Sequence, residues 1–245
     1  MKSAWKTFLK KRLEKEVFTG LPLTIFAIVF LIMLATFVGV TNSIVNGTAI
    51  VKIDDSFAHS LYLIRTPFLA KIFYIITNFA GQLTVVILAL ISIAYTYFKK
   101  ELAYLYSLII IFLGTDASVY FIKILINRSR PPTDIAYYIE KSQSFPSGHS
   151  AIAMAFFGFL TYYLIHHEGV KMKKSILLSL GAVLIGLIGF SRLYLGVHFL
   201  SDVIGGFLMG GLWLVVGMTF REQHFYTYSI KKGVDTSKTV GSLKP

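Results

Sequence analysis

Apolar residues gather into six windows of membrane-spanning length, separated by polar segments that hold most of the charge. The windows run from Gly20 to Val40, Ile72 to Phe98, Leu102 to Ile126, His149 to Ile165, Ser175 to Leu195 and His198 to Phe220. A hydrocarbon core about 30 Å thick needs roughly 20 apolar residues per helix. Lipid offers no partner to an open backbone amide, so a spanning segment of this kind closes its own hydrogen bonds as a helix. The pattern therefore predicts an all-α fold, a polytopic membrane helix bundle with six transmembrane helices. The first window follows a basic lead-in, and no small-residue cleavage site precedes the next polar stretch, so it reads as a retained helix and not a signal peptide.

The polar segments set the expected domain organisation. Residues 1–19 read as a basic amphipathic segment, with Trp5, Phe8, Leu9, Leu13 and Val17 at helical spacing opposite a basic face. Residues 20–220 form the membrane domain. Residues 221–245 are polar and aperiodic, and read as a flexible tail. The stretch from Thr41 to Pro67 reads as a loop with its own apolar patches, "HSLYLI" among them, placed to cover part of one membrane surface.

Composition supports the membrane assignment. The chain of 245 residues is 55% hydrophobic and only 15% charged, with a mean hydropathy of +0.68, whereas soluble domains are about a quarter charged. Sixteen of its 24 Lys and Arg residues fall in segments on the N-terminal side of the predicted membrane and eight on the other. By the positive-inside bias both termini are expected in the cytoplasm. The net charge of +12 then suits anionic lipid surfaces and not nucleic acid. With no cysteine, disulfides and thiolate metal sites are excluded.

Three segments predicted to reach the opposite, extracytoplasmic surface carry ionisable groups that a bilayer penalises. "KILINRSRPP" holds Lys123 and Arg130, and its two prolines end the third helix. "FPSGHS" places Ser147, Gly148 and His149 at a helix start, where free amides and the macrodipole favour an anion. "SRLYLGVHFLSD" holds Arg192 and puts His198 and Asp202 four apart, on one helical face. Guanidinium forks match phosphate oxygens and lysine adds a point charge, so Lys123, Arg130, Arg192, Ser147 and Gly148 form an expected phosphate-binding set. Two imidazoles make the set reactive: His198 is expected to attack phosphorus with Asp202 on its other ring nitrogen, and His149 to protonate the leaving alkoxide. No group of carboxylates or histidines at metal-ligand spacing accompanies them, so neither metal nor cofactor is expected.

These three ordered segments, Lys123 with Arg130-Pro131, Pro146-Ser147-Gly148-His149, and Ser191-Arg192 with His198 and Asp202, resemble the complete signature of the type 2 phosphatidic acid phosphatase (PAP2) superfamily. Asp54 to Gly81 is also similar to the second-helix region of its bacterial six-span members. The resemblance implies the same residue roles, independence from metal ions, and hydrolysis of a membrane lipid phosphate or diphosphate such as phosphatidylglycerophosphate or undecaprenyl pyrophosphate. Lipid phosphotransfer to another acceptor, and a non-catalytic lipid transporter or binding protein, are the alternatives.

Other polar residues carry structural expectations. Asp116 is read as a hydrogen-bonding contact to another helix, as are Asn78 and Gln82. His166 and His167 are expected to be solvated at the cytoplasmic end. Asp134, Tyr137, Tyr138, Glu140 and Lys141 are placed to shape the entrance to the site.

Overall fold

The structure, a computed structural model, describes residues 18–167 and 169–231. Among these residues every regular element is helical. Six spans are long and apolar enough to cross a membrane. They comprise α1 (Leu21–Val45), the broken pair α3 (Pro67–Thr77) and α4 (Gln82–Phe98), α5 (Leu102–Ile126), α6 (Gly148–His166), α7 (Lys174–Tyr194) and α8 (Leu200–Lys231), while α2 (Ala49–Leu63) lies between the first two. A π-helical turn, Ala153–Phe157, interrupts α6.

The stretch expected to be a loop from Thr41 to Pro67 is mostly helix. α1 runs on to Val45, and α2 buries Asp54, Ala58 and Leu61 at spacings of four and three while exposing Ile53 and Leu63. The helical period was hidden because one of its inward positions is an aspartate. Thr66 then caps α3, accepting from the Leu69 amide at 3.3 Å, and Pro67 occupies the first turn where its missing N–H costs nothing.

The second span breaks where Asn78 and Gln82 were expected to pair with other helices. A 3₁₀ turn covers Asn78–Ala80 and extended Gly81 restarts the chain as α4. Asn78 donates instead to the Tyr74 carbonyl of its own helix at 2.9 Å. The Asp116 carboxylate makes no hydrogen bond or ion pair among the described residues, and shares the exposed face of α5 with Leu113, Tyr120 and Phe121. Among those residues the interhelical contact expected of it is not made.

α8 is the central helix, packed against α5, α1 and α6. Glycine makes the approach to α6 possible: a Cβ on Gly210 would lie 2.1 Å from the Ala151 carbonyl oxygen, and one on Gly206 would lie 2.5 Å from that of Ser147. Backbone contact of this kind fixes the start of α6 against the first turns of α8. A buried apolar layer including Leu108, Ile111, Phe156 and Ile188 fills the middle of the bundle.

α8 also continues past Phe220, where the flexible tail was expected to begin. Arg221 is buried, stacks over Tyr104 at 4.6 Å and Phe225 at 5.1 Å, and pairs with Glu222 at 3.0 Å. Tyr162 donates to Glu222, and Tyr163 donates to Glu101 at 2.8 Å. Neither His166 nor His167 is freely solvated: both are half-buried, their rings 4.5 Å from Tyr162 and 5.2 Å from Tyr163. The amphipathic segment with Trp5, Phe8, Leu9, Leu13 and Val17, and the tail beyond Lys231, lie outside the described residues.

Candidate active site

At the other end of the bundle the three ionisable segments converge. Asn127, in a left-handed conformation at φ +47°, closes α5 and turns the chain toward Arg128 and Arg130. The strand of loop that follows is pinned twice to its neighbours: Ser144 N donates to Arg128 O at 2.9 Å, and Tyr137 N to Leu195 O at 2.8 Å. Arg65 staples the outside, with Nε on Tyr194 O at 2.8 Å and Nη1 on Ile135 O at 2.6 Å. Gly196 turns the α7–α8 connection at φ +66°, and a Cβ there would sit 2.4 Å from Ile135 O. Glycine alone satisfies both constraints. Ser147 N donates to Asp202 O at 2.9 Å, which joins the second segment to the third.

His198 sits between a carboxylate and a guanidinium. Its Nδ1 lies 3.3 Å from Asp202 Oδ2, and its Nε2 lies 3.2 Å from Arg130 Nη1. A guanidinium has five donors and no acceptor, so the nitrogen facing Arg130 must present its lone pair. The ring proton then belongs on Nδ1, directed at Asp202. The imidazole is 2% exposed, and burial, reinforced by Arg130, Arg192 and Lys123, lowers its pKa well below the ordinary 6.5. At neutral pH the ring is uncharged, with an available lone pair on Nε2.

The cations expected to hold phosphate surround that nitrogen. Arg130 is anchored by Nε to Ser142 O at 2.6 Å and by Nη1 to Val197 O at 2.6 Å. Arg192, completely buried, donates through Nη1 to Thr77 Oγ1 at 2.9 Å and to the Tyr138 hydroxyl, while its Nε has no partner among the described residues. Glu140 bridges the two arginines, accepting from Arg130 Nη2 at 2.9 Å and from Arg192 Nη2. Burial alone would raise the pKa of Glu140, but Arg192 and Arg130 hold it down at about 2. An anion thus already lies across both guanidinium groups, supplied by the chain itself. Lys123 Nζ donates to Gln143 O and reaches Ser144 O at 3.5 Å.

The start of α6 completes the set. Ser147 is fully buried, and its Oγ is the helix cap, receiving the Ser150 amide at 3.4 Å and the Ser150 hydroxyl at 3.0 Å. Both bonds use the lone pairs of that oxygen, so its own O–H stays available as the phosphate donor expected of it. Space opens at Gly148, where an added Cβ would meet only Val119 Cγ1, at 3.9 Å. His149, the second residue of α6, lies among the charges of Arg192, Glu140, Arg130 and Lys123, and its ring makes no hydrogen bond among the described residues.

Residues 100–226 match the PAP2 superfamily. Over 184 residues the chain is 33% identical to phosphatidylglycerophosphatase B of Bacillus subtilis (strain 168), covering 73% of this chain and 88% of that protein. The chain belongs to the PAP2 superfamily. A shorter match, 33% identical over 78 residues, links it to lipid phosphate phosphatase delta of Arabidopsis thaliana, covering 29% of this chain and 18% of that one. Among solved structures, the transmembrane PAP2-type phosphatidylglycerolphosphate phosphatase from Bacillus subtilis superposes with a TM-score of 0.70 at 28% identity, over 79% of this chain and 96% of that one. LpxE of Aquifex aeolicus shares the fold, with a TM-score of 0.55 at 22% identity over 68% and 94% of the two chains.

Two residues of this PAP2 site went unnoticed in the sequence. Arg128 donates to Asp202 Oδ1 at 2.7 Å and to Asp54 Oδ2 at 2.7 Å. Asp54, on α2, also accepts from Ser201 N at 2.9 Å and Ser201 Oγ at 2.5 Å. Arg128 lies inside the Lys123-to-Arg130 segment, where it looked like spacing; Asp54 lies in the stretch misread as loop. Tyr138 and Glu140, expected to shape the entrance, directly reach the cations expected to bind phosphate, whereas Asp134, Tyr137 and Lys141 remain exposed.

Proposed function

We propose that the chain is an integral membrane phosphatase that removes the terminal phosphate from a lipid phosphate or diphosphate through a phosphohistidine at His198. The orientation of that imidazole carries the reading: Nε2 lies 3.2 Å from an Arg130 donor and Nδ1 faces Asp202 at 3.3 Å. Fixed in this way, the lone pair on Nε2 lies beside the cations that would hold a phosphoryl group.

In the first step Nε2 forms a bond to phosphorus as the bond from phosphorus to the lipid oxygen breaks. His149 gives its proton to the departing oxygen. The new N–P bond leaves a positively charged ring, and its Nδ1–H remains directed at Asp202. In the second step His149, now neutral, takes a proton from water while the water oxygen attacks phosphorus, releasing phosphate and restoring His198. A covalent intermediate replaces one very high barrier by two lower ones. Lys123, Arg130 and Arg192 offset the charge on the transferring oxygens, and the amides opening α6, beside Gly148, add donors. Ser147 acts through the cap that holds those amides in place. With three fixed cations in the site, metal-independent turnover is the reading the residue set favours.

The names of the relatives point to phosphatidylglycerophosphate as first substrate, with undecaprenyl pyrophosphate the second to test. The distribution of Lys and Arg supports cytoplasmic termini and a site on the extracytoplasmic face. Purified protein in detergent should release phosphate from a matched panel of these lipids. Quenching into alkaline detergent with a ³²P-labelled substrate should trap a base-stable, acid-labile label on wild type and none on His198→Ala. Release of phosphate by His198→Ala at the wild-type rate would remove the basis of the mechanism, and product formed only with an added alcohol acceptor would favour phosphotransfer.

A further inference from the structure

We infer that Arg128 and Asp54 are positioning residues, which set the charge and aim of Asp202 and through it the nucleophilic imidazole. The inference rests on the reading of His198 as nucleophile and extends it to the ion pairs that run from Asp202 through Arg128 to Asp54 on α2.

Asp202 divides its two oxygens between different tasks. Oδ2 faces His198 Nδ1 and accepts from the Phe199 amide at 2.8 Å and from the Ser144 hydroxyl. Oδ1 takes the Nη1 donor of Arg128 at 2.7 Å. Arg128 in turn gives Nη2 to Asp54, donates to Ser201 Oγ at 2.7 Å, and lies 4.5 Å over the Phe199 ring. The fork therefore joins one carboxylate from α2 to one from α8, and both carboxylates are at most 1% exposed.

Charge alternates along this row, from imidazole to Asp202, Arg128 and Asp54. A buried carboxylate without a cation is strongly disfavoured as an anion, and a protonated Asp202 would lose its hold on the Nδ1 proton. Arg128, at 2.7 Å from Oδ1, opposes that. A lone guanidinium, however, would cancel the carboxylate that the cationic phosphohistidine needs. Asp54 removes this excess, leaving the three groups with one net negative charge beside the ring. Planarity matters as well: only a fork reaches both carboxylates at 2.7 Å, and a lysine ammonium is a single point. Neither Arg128 nor Asp54 hydrogen-bonds to Lys123, Arg130, Arg192 or His149, so their influence is on turnover and not on phosphate affinity.

The test uses the purified full chain in detergent and separates kcat from KM. Residues that orient a metal-bound histidine through one hydrogen bond contribute about 10- to 100-fold, and the same scale is expected for partners of Asp202. Arg128→Gln and Asp54→Asn should each lower kcat by about that factor with KM within about threefold of wild type. The rate of phosphohistidine labelling should fall in parallel. Arg128→Lys should recover part of kcat, since it restores the charge but not the fork. Should Arg128→Gln fail to fold, as read by thermal unfolding, Asp54→Asn and Arg128→Lys preserve size or charge and carry the test alone. Wild-type kcat in both of those, or a loss confined to KM, would overturn the inference. Absence of label on wild type itself would instead overturn the phosphohistidine reading, so the two failures are distinct.

Discussion

Replacing Asp202 by asparagine conserves shape and removes one charge, and the hydrogen-bond pattern around the residue dictates the result. Both carboxylate oxygens accept: Oδ1 from Arg128 at 2.7 Å, and Oδ2 from Phe199 N at 2.8 Å and from Ser144, with His198 Nδ1 at 3.3 Å. An amide has one accepting end. If the oxygen faces Arg128, the NH₂ meets the Phe199 amide and drives the His198 proton from Nδ1 to Nε2, which removes the attacking lone pair. If the oxygen faces His198, the NH₂ meets a guanidinium that can only donate. A carboxylate-to-amide change in a histidine–aspartate pair has a known scale of about 10⁴ in kcat, about 5.4 kcal/mol at 1.36 kcal/mol per factor of ten. Breaking a buried ion pair costs about 3–5 kcal/mol, lessened here because Asp54 still pairs with Arg128. We expect Asp202→Asn to fold with a lowered Tm and to lose at least a thousandfold in kcat. KM should change little, because Asp202 does not face the phosphate cations. Steady-state hydrolysis of a short-chain lipid phosphate, with thermal unfolding alongside, measures all three quantities. A variant retaining a tenth of wild-type kcat would refute the tautomer assignment.

Four further outcomes follow from the same geometry. Burial and the cations Arg130, Arg192 and Lys123 lower the His198 pKa, so removing a cation by Arg130→Gln raises it and moves the acid limb of the kcat profile to higher pH; Glu140, held at about 2, does not titrate in that range, and an unmoved limb would contradict the assignment. Gly210→Ala forces a methyl into the Ala151 carbonyl, 2.1 Å away, and should destabilise the detergent-solubilised protein by about 1–3 kcal/mol; an unchanged Tm would show that α6 and α8 part freely. Asp116→Leu replaces a lipid-facing carboxylate, disfavoured by about 2.5–3.5 kcal/mol at a helix centre, and should raise thermal stability, with a fall pointing to a partner outside the described residues. EDTA should leave turnover within about twofold, and a loss restored by magnesium would contradict a site neutralised by Lys123, Arg130 and Arg192 alone.

The helical spans were legible because apolar length is itself the physical requirement for crossing a bilayer. His198, Asp202, Arg130 and Arg192 were legible because their spacings place them at helix ends that reach one surface, where hydrogen bonds now join them. α2 was not, since its buried face carries Asp54, which breaks an apolar pattern that only the distant Arg128 explains. A partner 74 residues away leaves no trace in a local window. Glu140 was hidden for a related reason: its role depends on loop geometry that brings Arg130 and Arg192 to either side of one carboxylate. The break at Asn78–Ala80 and the extension of α8 to Lys231 escaped because hydropathy reports length, not backbone continuity. In the latter, Arg221 looked like the start of a solvated tail although aromatic rings enclose it.

The apolar layer of Leu108, Ile111, Phe156 and Ile188, each at most 2% exposed, separates the arginine-rich end from the Arg221–Glu222 pair at the other. Such a floor makes the bundle a cup and not a conduit. On the proposed reading a lipid phosphate would be cut at the arginine-rich end alone, and the freed phosphate would be released on that side.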